Sequence, residues 1–222
     1  GHALPLAPDE WIAAAITTRD IDRGDAPHFL LKEISEAPRS FAKTLRGKIV
    51  ERRVGDTVQL AADVGEAALP AGIAARLATG ELTKIRVIGQ GTAAVAGQGA
   101  AALIDEMCAG ALDVDAIVAT ELSGFGLRRD MSDTLVVAVS QSGTTTDTNT
   151  TVDLLRARGA AVLAIVNRRA SDLADKADGV LYTSDGRDVE MSVASTKAFY
   201  AQVAAGALLA CAISAAAGAG SD

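Results

Sequence analysis

Five short apolar runs rich in β-branched residues, at 85–88, 116–118, 134–139, 162–166 and 179–182, punctuate the chain. Ala-rich windows of helical length separate the first four. Continuous apolar runs alternating with helices are the mark of a parallel sheet covered on both faces. The expected fold class is therefore α/β, a three-layer sandwich around a five-stranded parallel sheet, in which ligands sit beyond the carboxyl ends of the strands. Only 3% of the residues are aromatic while 49% are hydrophobic, so Ala, Val, Leu and Ile must fill the layers and the layers must pack closely. At 222 residues the chain is long enough to bury a core without disulfides or metals.

Residues 27–220 are read as a single domain with a helical lead-in over 27–80. Within 27–46, Phe29, Leu30, Ile34, Phe41 and Leu45 recur at roughly helical spacing, and Pro38 divides the stretch into two short helices. The stretch 54–80 reads as an irregular crossing followed by a helix over 67–78. Residues 3–26, with Trp11, Ile12 and Ile16 among Pro, Asp and Arg, read as a tail or linker, and Gly1-His2 as a tag remnant.

The formal charge of −7 and the lack of any long Lys/Arg run argue against nucleic acid as a partner and against an anionic bilayer. The uncharged stretch 198–220 is long enough to span a membrane, but its Ala and Gly content and Gln202 assign it to a buried interior or a dimer interface instead. Cys108 and Cys211 are far apart in apolar helical windows and read as free core thiols. With no secretory signal at the start, the expected location is cytoplasmic.

Chemistry concentrates after the third run, where Ser140-Gln141-Ser142-Gly143-Thr144-Thr145-Thr146-Asp147-Thr148 leads from a strand into a helix. Helix capping needs one or two hydroxyl or carboxylate side chains; this segment has seven in nine positions. Hydroxyls, unpaired amides and the helix dipole converge there on one point that suits an anion. The absence of Lys and Arg favours a phosphate monoester over a triphosphate. A second turn, Gly89-Gln90-Gly91-Thr92-Ala93-Ala94, satisfies a relaxed dinucleotide fingerprint, so an NAD-dependent oxidoreductase is the rival reading. The acid that fingerprint requires is poorly placed, with Asp113 and Asp115 before the next strand and Glu121 late.

A third segment, Val193-Ala194-Ser195-Thr196-Lys197, opens the last helix, where Ser195 and Thr196 could cap it or touch a ligand. Lys197 is read as a solvated surface lysine. His28 lies in the lead-in with no acid partner. Neither a metal cluster nor a Ser/His/Asp arrangement emerges, and neither metal nor cofactor is expected.

Together these strings resemble the SIS (sugar isomerase) domain family, in particular the first SIS domain of the glutamine:fructose-6-phosphate aminotransferases. The resemblance rests on 28–38, Gly89-Gln90-Gly91-Thr92, Ser140-Gln141-Ser142-Gly143, Ala164-Ile165-Val166-Asn167 and Val193-Ala194-Ser195-Thr196-Lys197. It implies that Ser140, Gln141, Ser142 and Thr145 hold the phosphate of a hexose 6-phosphate while Thr92, Val193 and Ser195 line the sugar. It also implies a parent chain with a glutaminase domain and a second SIS domain that supplies the catalytic groups, so that this piece alone is catalytically silent. The Ala-rich helices, for their part, suggest a homodimer paired through them. Ala93 stands where the family usually has Ser, and Thr144 where it usually has Glu. A non-catalytic sugar-phosphate sensor is the alternative.

Overall fold

The computed structural model describes residues 21–192 and 194–219. The tag-like start and most of the tail, with Trp11, Ile12 and Ile16, lie outside them, as does Val193. The described elements are helix α1 (Phe29–Leu45), strands β1 (Ile49–Val54) and β2 (Thr57–Ala62), α2 (Ala71–Ala78), β3 (Lys84–Gly89), α3 (Thr92–Met107), β4 (Asp113–Val118) and the short α4 (Ala119–Glu121), which continues as a π-helical turn. They go on through β5 (Thr134–Ser140), α5 (Thr146–Arg156), β6 (Ala161–Val166), α6 (Asp172–Lys176), β7 (Gly179–Tyr182), a 3-10 turn (Thr183–Gly186) and α7 (Lys197–Ala216).

Strands β3 to β7 form one five-stranded sheet in the order β4-β3-β5-β6-β7, all neighbours parallel. Every residue of β5 and β6 is buried, as the unbroken apolar runs require of central strands covered on both faces. Ile85, Val87, Val137, Val139, Leu163 and Ile165 point to one face, against α2, α3 and α7. Ile88, Val136, Ala138, Val162 and Ala164 point to the other, against Leu122, Val152, Leu155 and Leu173. The expected three layers and five parallel strands are all present.

The Ala-rich helices α3 and α7 pack on each other inside the domain. A Cβ on Gly206 would come within 2.8 Å of the Ala100 Cβ, so the small residues bring these two backbones close and commit this face of each helix to the domain's own interior. Among the described residues α7 is the one helix long and apolar enough to cross a membrane, yet 67% of its most apolar window is buried within the protein. Cys108 is buried, Cys211 half-buried, and both are free thiols.

Three expectations differ from the structure. The lead-in is one 17-residue helix, with Pro38 inside it. Glu33, Ala37, Ser40 and Thr44 form a single buried stripe on both sides of the proline, and Pro38 is exposed, so water can satisfy the carbonyl that its missing N–H leaves unpaired. The stripe is mostly polar, whereas the apolar residues that revealed the helix face outward, Ile34 being 52% exposed. Second, an antiparallel hairpin β1-β2 occupies 49–62, so that its turn at Gly55-Asp56 and its second strand fall where the irregular crossing was expected. Its strands are largely exposed and so lack the strict alternation that marks a half-buried strand. Third, α2 begins at Ala71, not 67, because Pro70 at its N-cap disfavours helical geometry in the preceding residue.

Candidate functional site

From β3 the chain steps outward to β4, then returns to place β5 on the other side of β3. Helix α3 leaves β3 toward one face and α5 leaves β5 toward the other. The diverging turns open a crevice at the carboxyl ends of the two strands, the switch point where open parallel sheets bind ligands. A polar cavity of about 180 Å³ lies there, lined by Gln90, Thr92 and Ala93 from the first turn and by Val139 to Ser142 and Thr145 from the second. Glu190, Ser192, Ser195 and Gln202 from the α7 side complete it.

The second turn is held in shape by its own hydroxyls. Gly143 N–H donates to Ser140 Oγ at 3.0 Å, and Ser142 Oγ accepts from Thr144 N–H at 3.2 Å and from Thr144 Oγ1 at 3.0 Å. Gly143 has a φ of 68°, and a Cβ there would meet the Ser171 side chain and Val166 Cγ2, the latter at 2.9 Å. Its carbonyl accepts from Leu173 N–H and Asn149 Nδ2, which locks the corner onto α6 and α5. Thr145 occupies the N-cap of α5 but makes no side-chain capping bond. Its hydroxyl lies 3.5 Å from Ser140 Oγ, so two hydroxyls and the unpaired first-turn amides of α5 share the corner.

The third wall is organised by Glu190, which the sequence reading left among loop acids. Its carboxylate accepts from Thr196 N–H at 2.6 Å, Ala198 N–H at 3.2 Å, Thr196 Oγ1 at 2.9 Å and Ser195 Oγ at 3.1 Å. The cap of α7 is therefore this distant carboxylate, and Thr196 forms no side-chain cap of its own. Ser195 lines the cavity with its hydroxyl proton directed to Glu190, which leaves its oxygen free to accept.

Loop 187–196 is in turn fastened to α1. Buried Glu33 accepts from the N–H groups of Met191 and Ser192, Ser40 Oγ and Ser184 Oγ both donate to Asp188, and Asn167 Nδ2 donates to the Asp188 carbonyl. Lys197 is not a surface lysine. It is 2% exposed and its Nζ lies 2.7 Å from Glu36 Oε2, because the first turn of α7 faces α1 instead of solvent. Burial alone would raise the Glu36 and Asp188 carboxyls. The hydrogen bond and charge of Lys197 on Glu36, and the Ser184 and Ser40 hydroxyls with nearby lysines on Asp188, more than offset it and hold both below the usual carboxylate range.

The structure thus brings Thr92, Ser140, Gln141, Ser142, Thr145 and Ser195 around one cavity, while Val193 lies outside the described residues. Ala93 lines it too; Thr144 acts by fixing Ser142. His28 caps α1, its Nδ1 accepting from Leu31 N–H. Sequence reasoning missed Gln90, Glu190, Ser192 and Gln202, whose shared position depends on how the α7 side folds over the strand ends. The dinucleotide alternative also fails on register. Asp113 and Asp115 belong to β4 at its amino end, Asp113 being paired with Arg86, and Val118 stands opposite Gly89 where the ribose-binding acid would be needed.

The cavity presents hydroxyls, amides and carboxamides, and Glu190 is its one ionisable lining group among the described residues. No group of residues that could hold a metal occurs among the described residues. At about 180 Å³ the space is smaller than the roughly 300–1,000 Å³ of a drug-sized site and suits a compact polar molecule.

Residues 81–212 match the SIS domain family model. The glutamine–fructose-6-phosphate aminotransferase [isomerizing] of Symbiobacterium thermophilum is 39% identical over 191 residues, covering 85% of this chain and 28% of that protein. The Mycobacterium bovis protein of the same name is 37% identical over 211 residues, covering 94% and 30%. The chain therefore spans less than a third of these relatives' length. Among solved structures, the C-terminal domain of glucosamine-fructose-6-phosphate aminotransferase from Francisella tularensis superposes with a TM-score of 0.70 at 24% identity, over 89% of this chain and 50% of that one, a likeness of fold. A five-stranded parallel sheet, a hydroxyl-rich corner at its switch point and a family match over more than half the chain lead to one conclusion: this chain belongs to the SIS domain family.

Proposed function

We propose that the cavity binds a hexose 6-phosphate, with the phosphate in the corner at 140–145. We further propose that the chain is the fructose-6-phosphate/glucosamine-6-phosphate-binding part of an isomerising glutamine:fructose-6-phosphate aminotransferase. The observation that carries this reading is the corner itself: Ser140, Ser142 and Thr145 hydroxyls gathered at the start of α5, with no Lys or Arg among the lining residues. Such a cradle stabilises a dianion through hydrogen bonds to charge, each contributing about 1.5–3 kcal/mol, and through the helix N-terminus.

The 37–39% identity to full-length aminotransferases supports the finer assignment. Glu190 is committed to the amides of α7, so the described lining residues orient a ligand without a free acid or base. Ring opening, proton transfer and ammonia supply then fall to a second SIS domain and a glutaminase domain of the parent chain. This piece alone should be catalytically silent. A homodimer is part of the proposal, and its contact surface is the outward apolar side of α1 and the hairpin, where Leu60 is 75% exposed; sedimentation velocity showing only monomer at high concentration would refute it.

The reading is tested by a thermal-shift panel of fructose 6-phosphate, glucosamine 6-phosphate, unphosphorylated glucosamine and NAD. Both hexose phosphates should raise the melting temperature, with up to a few kcal/mol of stabilisation at large ligand excess, and the other two should not. Ser142→Ala should weaken hexose-phosphate binding by roughly tenfold to a hundredfold, the loss of one charge-assisted bond. Unchanged affinity in that variant would remove the corner from the site.

A further inference from the structure

The search beyond the corner turns on Gln202. It lies in the second turn of α7, is 2% exposed, and lines the cavity. Both its Oε1 and its Nε2 are buried without a hydrogen-bond partner, and among the described residues it is the one carboxamide with both polar atoms orphaned. Native proteins rarely leave a complete carboxamide unpaired in their interior, and each such group calls for an explanation.

Packing offers none. Ala93, across the cavity on α3, supplies only a methyl group. Four residues further along α7, Gly206 lies against Ala100 of α3, so the stripe that carries Gln202 is otherwise built of small residues for close helix approach. A leucine or methionine would fill that position without an orphaned amide. The residue borders the cavity instead, from a different element than the phosphate corner on β5, with both polar atoms enclosed and unpaired beside that space.

We propose that Gln202 reads the carbohydrate end of the ligand, its carboxamide donating to one oxygen and accepting from the adjacent hydroxyl of a phosphorylated sugar. This rests on the hexose-phosphate reading above and deepens it by naming a residue that recognises the sugar rather than the phosphate. A carboxamide suits that task because it is a donor and an acceptor side by side without charge. It matches a vicinal diol, or a hydroxyl next to a carbonyl, without repelling the phosphate. A site built around such a buried group discriminates strongly against ligands that leave it unpaired.

Gln202→Met keeps length and volume while deleting both polar atoms, and Gln202→Leu serves as a second variant. Fructose 6-phosphate and methyl phosphate are titrated into wild type and variants by chemical-shift perturbation, and melting is recorded without ligand. The expected result is a melting temperature equal to or above wild type, methyl phosphate affinity unchanged, and at least a tenfold loss for fructose 6-phosphate. Equal fructose 6-phosphate affinity in variant and wild type overturns the proposal. So does a lowered melting temperature with both ligands weakened in parallel, which would make Gln202 a structural residue. If wild type binds methyl phosphate and no sugar phosphate, or neither, the hexose-phosphate reading itself fails and the role of Gln202 falls with it.

Discussion

Single residues in the corner shape the turn without using up their hydrogen-bonding capacity. Ser140 and Ser142 each accept a hydrogen bond from a backbone N–H of the turn, so each holds the loop while keeping capacity toward the cavity, and Thr145 gives up its usual capping duty altogether. Gly143 makes this possible, since its left-handed backbone and its closeness to Ser171 and Val166 leave no room for a side chain. Gly143→Ala should cost about 2–4 kcal/mol, combining backbone strain with overpacking. A chemical denaturation curve with an unchanged midpoint would show that the turn adapts. The gathering of hydroxyls was legible from nine consecutive residues, because the chemistry of the turn is local, whereas the approach of Ser171 and Val166 to Gly143 was not. Glu190 was not: it caps α7 across a loop, and nothing in its flanking sequence distinguishes it from Asp185 or Asp188.

At the scale of elements, α1 is the informative case. Apolar periodicity marked the segment as helical but divided it at Pro38, where the structure has one helix, and the apolar residues that carried the signal are not its buried face, since Leu30, Leu31, Ile34 and Phe41 are exposed while Glu33, Ser40 and Thr44 are buried. The polar stripe is buried because it has partners. Thr44 Oγ1 accepts from Ser184 N–H, at a turn where Ser184 and Asp185 both adopt left-handed φ values, of 45° and 63°. Non-glycine residues in that region cost about 1–3 kcal/mol each and persist only where the surroundings hold them. Helix α1 is therefore the clamp that shapes the third wall of the cavity. Glu33→Ala should leave the Met191 and Ser192 amides unpaired, at about 1–3 kcal/mol, and speed their hydrogen exchange. Undiminished protection of those two amides would mean the loop holds itself.

For the whole molecule, the clamp adds a pH dependence whose sign follows from Glu36 and Asp188. Both carboxyls are held below their ordinary values in the folded protein. The stability they contribute is thus fully present above the unfolded-state values, about 4, and is lost as pH falls through the lower folded-state values. Thermal melts should be flat with respect to this pair above about pH 5 and decline below about 4. Asp188→Asn should make the acid decline shallower; an identical acid profile in that variant would exclude Asp188 as a source.

The sequence by itself determined the sheet and the corner. Runs such as Leu135-Val136-Val137-Ala138-Val139 can be covered on both faces only as central strands, and seven hydroxyl or carboxylate side chains in nine residues need no distant partner to make a hydroxyl-rich turn. Tertiary structure alone decided the third wall: that Glu33 meets Met191, Glu36 meets Lys197 and Ser40 meets Asp188, over about 150 residues of chain, and that Gln202 ends buried with nothing to bond. The physical reason is that a charged or amide side chain carries no mark of its partner. Which polar groups meet is set by which helix faces the apolar layers press together, and that is a property of the packed molecule.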